Sequence, residues 1–296
     1  MVRIGGPLAA LLALFLAAAP IPADAQAPAS PGQEAQTDRR LAVDLELVLA
    51  VDVSLSVDSE EAQLQRQGYA QAFRDPLVVD AIGGGILGRI AVTYFEWANS
   101  AHTRLVVDWT LIDSPAAAER FAMALAARRP GPAHYTSISG AIDFGSRLFQ
   151  DNGFEGTREV IDVSGDGPNN WGDLVTRARD RAVAQGITIN GLPILDRSSG
   201  PFSRYNIPNL DLYYRDCVIG GPAAFIVVAQ DFTAFASAIR RKLILEIAGP
   251  PAPPPRSAQL AKSPLVDAQF IDDGDARISP PCDIGEQLLR SREQDF

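Results

Sequence analysis

Six of the seven residues from Leu45 to Val51 are apolar, and the run then gives way to Asp52, Ser54 and Ser56 at alternate positions. A stretch this dense in apolar residues predicts a strand buried on both faces of a parallel sheet. Its polar residues then fall at the carboxyl end, where open α/β sheets place ligands. Further strands are predicted at Ile90 to Trp97, Glu159 to Ser164, Ile187 to Leu195 and Ala224 to Val228. A β-forming run from Arg104 to Trp109 follows the short Asn99 to His102 link, which predicts a hairpin with its second strand at the sheet edge.

Helical patterns separate these runs. Asp58-Ser59-Glu60-Glu61 opens a helix to about Phe73, with Leu64, Gly68 and Ala72 on one face. Ser114-Pro115 supplies a cap and a first-position proline for a helix to about Arg128. Others are predicted from Ser137 to Gln150, from Asp173 to Gln185 with Gly186 closing it, and from Phe232 to Ile247, with a short patch around Leu210 to Tyr214. Pro76 and Gly83-Gly84-Gly85 read as breaks. The alternation predicts an α/β fold: a doubly wound, mostly parallel sheet with one antiparallel edge strand and helices on both faces.

The ends differ in texture from this middle. Arg3, the apolar stretch Leu8 to Ala19 and the small-x-small site Ala23-Asp24-Ala25 have the form of a signal peptide over residues 1–25. Residues 26–43 read as a linker, 44–248 as the folded domain, and 249–296 as a Pro-rich segment and tail without strong periodicity. Export implies a periplasmic or secreted protein with no stable membrane insertion after signal cleavage. The two cysteines, Cys217 and Cys282, then suggest one disulfide tying the tail to the domain.

Composition narrows the function. Of 296 residues 47% are hydrophobic and 21% charged, an ordinary globular balance, and the formal net charge is −10. An acidic chain whose arginines are scattered in twos and threes argues against nucleic acid, which requires clustered Lys and Arg. The chain lacks a G-x-S-x-G elbow, a P-loop and a dinucleotide fingerprint after a strand.

The chemistry concentrates at three strand-end loops. Asp52, Ser54 and Ser56 end the first buried strand, Thr136 precedes the Ser137 helix, and Asp166 follows the Glu159 strand in Ser164-Gly165-Asp166-Gly167. If these loops adjoin, two carboxylates and three hydroxyls converge, an oxygen-only set suited to Mg²⁺, Mn²⁺ or Ca²⁺. Zinc fits poorly, because His102 and His134 are the only histidines and the cysteines lie elsewhere. Two carboxylates balance one divalent cation and leave it electrophilic enough to accept an outside carboxylate. Taken singly, Asp52 could instead cap the next helix and the serines could be turn residues. Asp162, inside a strand, suits a structural hydrogen bond, while Asn169, Asn170 and Trp171 fit the rim of the site and a capped helix start equally well. His134 reads as a surface residue and Trp97 and Trp109 as core.

The span from Asp44 to Ile247 resembles a von Willebrand factor type A domain, on the strength of Asp52-x-Ser54-x-Ser56, the Thr136 loop with its small apolar helix, and Asp166-Gly167. The signal peptide, the Ser164 to Asn170 segment and the late cysteine resemble an uncharacterised group of exported bacterial proteins of this fold. The resemblance implies a metal-ion-dependent adhesion site, or MIDAS. Ser54 and Ser56 would be direct ligands of a divalent cation, most simply Mg²⁺, and Thr136 a conditional one. Asp52 and Asp166 would bind directly or through water, and the partner would be a protein presenting a carboxylate. Gly165 departs from the pattern, since many relatives carry Ser or Thr directly before the second aspartate. A binding module is therefore favoured. The alternatives are a phosphotransferase- or hydrolase-like enzyme using Asp52, although Ser54 stands where such enzymes usually place a second aspartate, and a scaffold without metal.

Overall fold

A computed structural model describes residues 40–54, 56–57, 59–99, 101–127, 134–195, 207–249 and 277–293. The expected signal peptide, nearly all of the expected linker and the Pro-rich segment from Pro250 lie outside the described residues.

The elements run β1 (Leu41–Val43), β2 (Leu45–Asp52), α1 (Ser59–Arg74), α2 (Pro76–Gly83), β3 (Ile90–Trp97), β4 (Thr103–Ile112) and α3 (Pro115–Ala126). They continue with α4 (Ile138–Leu148), β5 (Phe154–Gly156), β6 (Glu159–Gly165), α5 (Val175–Ala184), β7 (Thr188–Pro193) and α6 (Leu210–Tyr213). A π-helical turn (Tyr214–Val218), α7 (Phe235–Ala248) and α8 (Ile284–Glu293) complete the order. The main sheet has the order β4-β3-β2-β6-β7, and β1 and β5 form a separate parallel pair. β2 lies at the centre, parallel to β3 from Leu45↔Ile90 to Asp52↔Trp97 and to β6 from Glu46↔Glu159 to Val51↔Ser164. β4 is the antiparallel edge strand, paired with β3 through irregular register around Tyr94. The fold is thus α/β, mostly parallel with one antiparallel edge.

All eight residues of β2 are buried because alternate side chains enter different layers. Leu45, Leu47, Leu49 and Val51 pack with α1, α2, α3 and α7, whereas Val48 and Ala50 pack with α4, α5 and the π-helical turn. Each such Leu or Val contributes about 1.5–3 kcal/mol on burial, so register is set here: a slip of one residue would exchange the two layers.

Several local expectations are corrected. Asp75 accepts from the Leu77 amide and Pro76 takes the first turn, so the supposed break starts α2. On α1, Leu64 is exposed and Ala62, Gln65, Tyr69 and Phe73 form the buried face. Ala224 to Val228 is not a strand but touches β7 through the isolated bridge Gly191↔Ile226, with Ile194↔Ala229 just beyond. β1 lies in the expected linker, and part of the tail is helical as α8.

Candidate metal centre

The winding reverses between β2 and β6, because the chain proceeds from β2 to β3 and β4 and then crosses back to β6. Such a switch point opens a crevice at the carboxyl ends of the strands. Asp52 ends β2 and Asp166 directly follows β6, so the register Val51↔Ser164 brings the two acids to neighbouring strand ends. The third loop is attached through β3: the Val53 amide donates to Trp97 O at 2.9 Å and the Ser137 amide to Ala98 O at 2.6 Å. Ser137 also caps α4 by accepting from the Gly140 amide, leaving Thr136 immediately before the cap.

The sequence-predicted residues meet. Ser54 Oγ lies 3.0 Å from Ser56 Oγ, Thr136 Oγ1 donates to Ser54 Oγ at 3.4 Å, and Ser56 Oγ donates to Asp166 Oδ1 at 2.7 Å. Asp52 Oδ1 accepts from the Ser54 amide at 2.7 Å, which bends the chain so that both serines face the crevice. Asp52 is fully buried and Asp166 nearly so. Asp52 Oδ2 has no hydrogen-bond partner. Burial, and then the Asp166 carboxylate, push the Asp52 carboxyl well above its ordinary value. A buried carboxylate oxygen without a donor, beside a second carboxylate and three hydroxyls, is a donor set that a hard divalent cation satisfies and a neutral ligand does not.

Gly165 explains its own departure from the expected pattern. A Cβ there would lie 2.8 Å from Tyr214 Oη and 2.9 Å from Asp52 Oδ2. Tyr214 thus points its hydroxyl at the same spot as the free oxygen of Asp52, and it is fully buried. Nothing in the local sequence marked Tyr214, because its contact depends on the π-helical turn. Asn169 and Asn170, for which the sequence offers a rim or a helix start, fasten the loops to one another. The Thr136 amide donates to Asn170 Oδ1 and the Asn170 amide to Thr136 O, each at 2.8 Å, while the Ser139 amide donates to Asn169 Oδ1 at 2.9 Å. Trp171 is exposed and stacks on Tyr135, their ring centroids 4.4 Å apart. Gln65, also unmarked in the sequence, donates to Asp52 O at 3.2 Å.

Other polar clusters belong to the framework. Asp162 Oδ1, on β6, lies 2.8 Å from Lys242 Nζ on α7, which also pairs with Glu246 one turn on, and all three are buried. Cys217 and Cys282 form a disulfide. A cavity of about 330 Å³ lined by Val79, Ile82, Gly88, Ile112 and Pro115 opens beside the start of β3, at the opposite end of the sheet.

A family profile described as a protein of unknown function, DUF1194, matches residues 42–251. The chain belongs to the DUF1194 family. The match covers Asp52, Ser54, Ser56, Thr136, Asp166 and Cys217 and stops short of Cys282 and α8. No curated protein matches the chain. Solved structures similar to this DUF1194 chain include proximal thread matrix protein 1 from the mussel byssus with a zinc-occupied MIDAS motif, at 13% identity and TM-score 0.49, covering 70% of this chain and 46% of that one. The pilus adhesin SpaC from Lactobacillus rhamnosus GG is similar at 13% identity and TM-score 0.49, covering 70% and 31%. A von Willebrand factor type A structure from Catenulispora acidiphila is similar at 14% identity and TM-score 0.42, covering 70% and 43%. The chain therefore spans less than half the length of these three proteins.

Proposed function

We propose that this DUF1194 protein is an exported binding module with a MIDAS-type divalent cation site, most simply for Mg²⁺, that engages an acidic group on a protein partner. The observation that carries the proposal is Asp52 Oδ2, buried without a donor beside Asp166 and within one connected set of Ser54, Ser56 and Thr136 hydroxyls. Those five side chains would hold the cation, directly or through water. A cation so held supplies an electrophilic position for a carboxylate from outside. The chain's own part is to keep the hydroxyls neutral, so that the two acids balance the ion and add no further negative charge to repel that carboxylate.

Export is proposed from the N-terminal pattern and fits the disulfide, which belongs to oxidising compartments. Among the described residues no helix is long and apolar enough to cross a membrane. Asp52 as an enzymatic nucleophile is disfavoured, since it is fully buried and one oxygen is already engaged by the Ser54 amide. Calorimetric titration of Mg²⁺, Mn²⁺ and Ca²⁺ into the purified chain should give saturable one-site binding that Asp52→Ala abolishes. A native chain that binds none of the three refutes the metal site and leaves a scaffold. Turnover of a phosphate ester that Asp52→Asn abolishes would establish the enzyme instead.

A further inference from the structure

We propose that α8 is a covalently anchored brace for the loop that follows Asp166 and, through it, for the Thr136 loop, so that cation affinity depends on the Cys217–Cys282 disulfide and on Glu286. The affinity part rests on the metal-site proposal above; the brace does not. Residues 277–293 lie beyond the family match, yet they are fixed to the domain at successive points. Arg277 forms a two-pronged pair with Asp211 at 2.8 and 3.2 Å, Asn209 Nδ2 donates to Ile278 O at 3.1 Å, and Ser279 Oγ donates to Leu212 O at 3.4 Å. The disulfide then joins residues 65 apart in sequence, and Ile284 packs against the core on the α4 and α5 side of the sheet.

What this anchoring holds is Asn169. A Cβ at Gly285 would lie 2.0 Å from Asn169 O and 2.7 Å from its carbonyl carbon, so the helix backbone runs directly against the loop backbone and only glycine fits. Glu286 Oε1 accepts from Asn169 Nδ2 at 2.7 Å. The Asn169 amide donates to Tyr213 Oη at 3.1 Å, and that hydroxyl in turn donates to Cys282 O at 3.5 Å. Asn169 is thereby gripped through its amide, its carbonyl and its side chain. On its other side it accepts from the Ser139 amide in the first turn of α4, and the next residue exchanges two hydrogen bonds with Thr136. The path from α8 to the ligand hydroxyls is therefore Glu286, Asn169, Asn170, Thr136 and Ser54. It parallels the outer-shell partners that orient metal ligands, whose loss typically weakens binding about 10–100-fold.

The test uses the full chain in four forms: native, Glu286→Ala, Glu286→Gln, and the double variant Cys217→Ser with Cys282→Ser. Amide hydrogen exchange is measured on metal-free protein, and Mn²⁺ affinity by calorimetry. Glu286→Ala and the double variant should exchange faster at Thr136, Ser139 and Asn170 while β2 amides keep their protection. Their Mn²⁺ affinity should fall by about tenfold or more. Glu286→Gln, which retains the accepting oxygen, should behave as native. Unchanged exchange at the three amides in Glu286→Ala overturns the brace, as does an equal loss across β2, which would mark general destabilisation. If the double variant does not fold, Glu286→Ala decides. If the native chain binds no Mn²⁺, the affinity claim falls with the metal site, while exchange still decides the brace.

Discussion

Replacing Asp52 by Asn separates what the site costs the fold from what it gains from a cation. The side chain keeps its shape and the Oδ1 that accepts from the Ser54 amide, and exchanges the charge and the acceptor Oδ2 for a neutral NH2 donor. In the metal-free protein that charge is unfavourable: the carboxyl is fully buried, Oδ2 has no partner, and Asp166 lies beside it. A buried polar atom without a partner costs on the order of 1–3 kcal/mol, so the metal-free variant should be as stable as the native chain or more stable by up to about that amount. The sign with pH follows from the raised folded-state value. The native penalty is absent below the unfolded carboxyl range near pH 4 and grows as pH rises, so the advantage of the variant should widen toward neutrality. Cation acts in the opposite direction. At a concentration about 100-fold above Kd, binding stabilises the native chain by roughly 2.7 kcal/mol, which for a domain of this size raises Tm by about 5–11 °C. The variant should show almost none of that rise. Thermal melts with chelator and with Mn²⁺ measure both halves. A variant several degrees less stable than native in chelator, with the same rise on adding Mn²⁺, would refute the reasoning.

Three further outcomes follow from particular contacts. Gly165→Ala pushes a methyl against Tyr214 Oη and Asp52 Oδ2 and should cost about 1–3 kcal/mol in denaturant unfolding, with weaker Mn²⁺ binding. Lys242→Met leaves Asp162 and Glu246 buried without their cation and should cost about 3–5 kcal/mol by the same measurement. The Asp162 carboxyl is pushed up to about 7 by burial and then by Glu246, which together outweigh the adjacent Lys242. Its stabilising contribution is therefore complete below about pH 4 and lost as pH rises through 7, and Asp162→Asn should flatten that part of a stability–pH profile.

The centre of the fold was legible because burial on both faces leaves a dense apolar signature, as in β2, and because Ser114-Pro115 and Gly186 mark helix ends chemically. The meeting of the candidate site residues was legible for a different reason: each alone reads as a cap or a turn residue, but Asp52-x-Ser54-x-Ser56, Thr136 and Asp166 together make one oxygen-rich set, and their hydroxyls and Asp166 do connect. What escaped depended on contacts distant in sequence. Asp75-Pro76 starts α2 with a cap and a first-position proline, yet a proline just after a helix also carries the signal of a break. Leu64 has the spacing of a core residue, yet α1 buries Ala62, Gln65 and Tyr69 and leaves Leu64 exposed. The tail has no strong hydrophobic period because it is held by a disulfide, one ion pair, the Glu286 hydrogen bond and one close glycine contact, with Ile284 its packed apolar residue. Tyr214 and Gly165 become a pair only once the π-helical turn meets the end of β6.

The most direct test of the cation site is anomalous diffraction from crystals of the native chain grown with Mn²⁺. One manganese peak should lie within ligand distance of Ser54 and Ser56, bounded by Asp52, Thr136 and Asp166, and should vanish in Asp52→Asn crystals. A fully exchanged crystal with no peak there, or with manganese bound only elsewhere on the surface, would contradict the account.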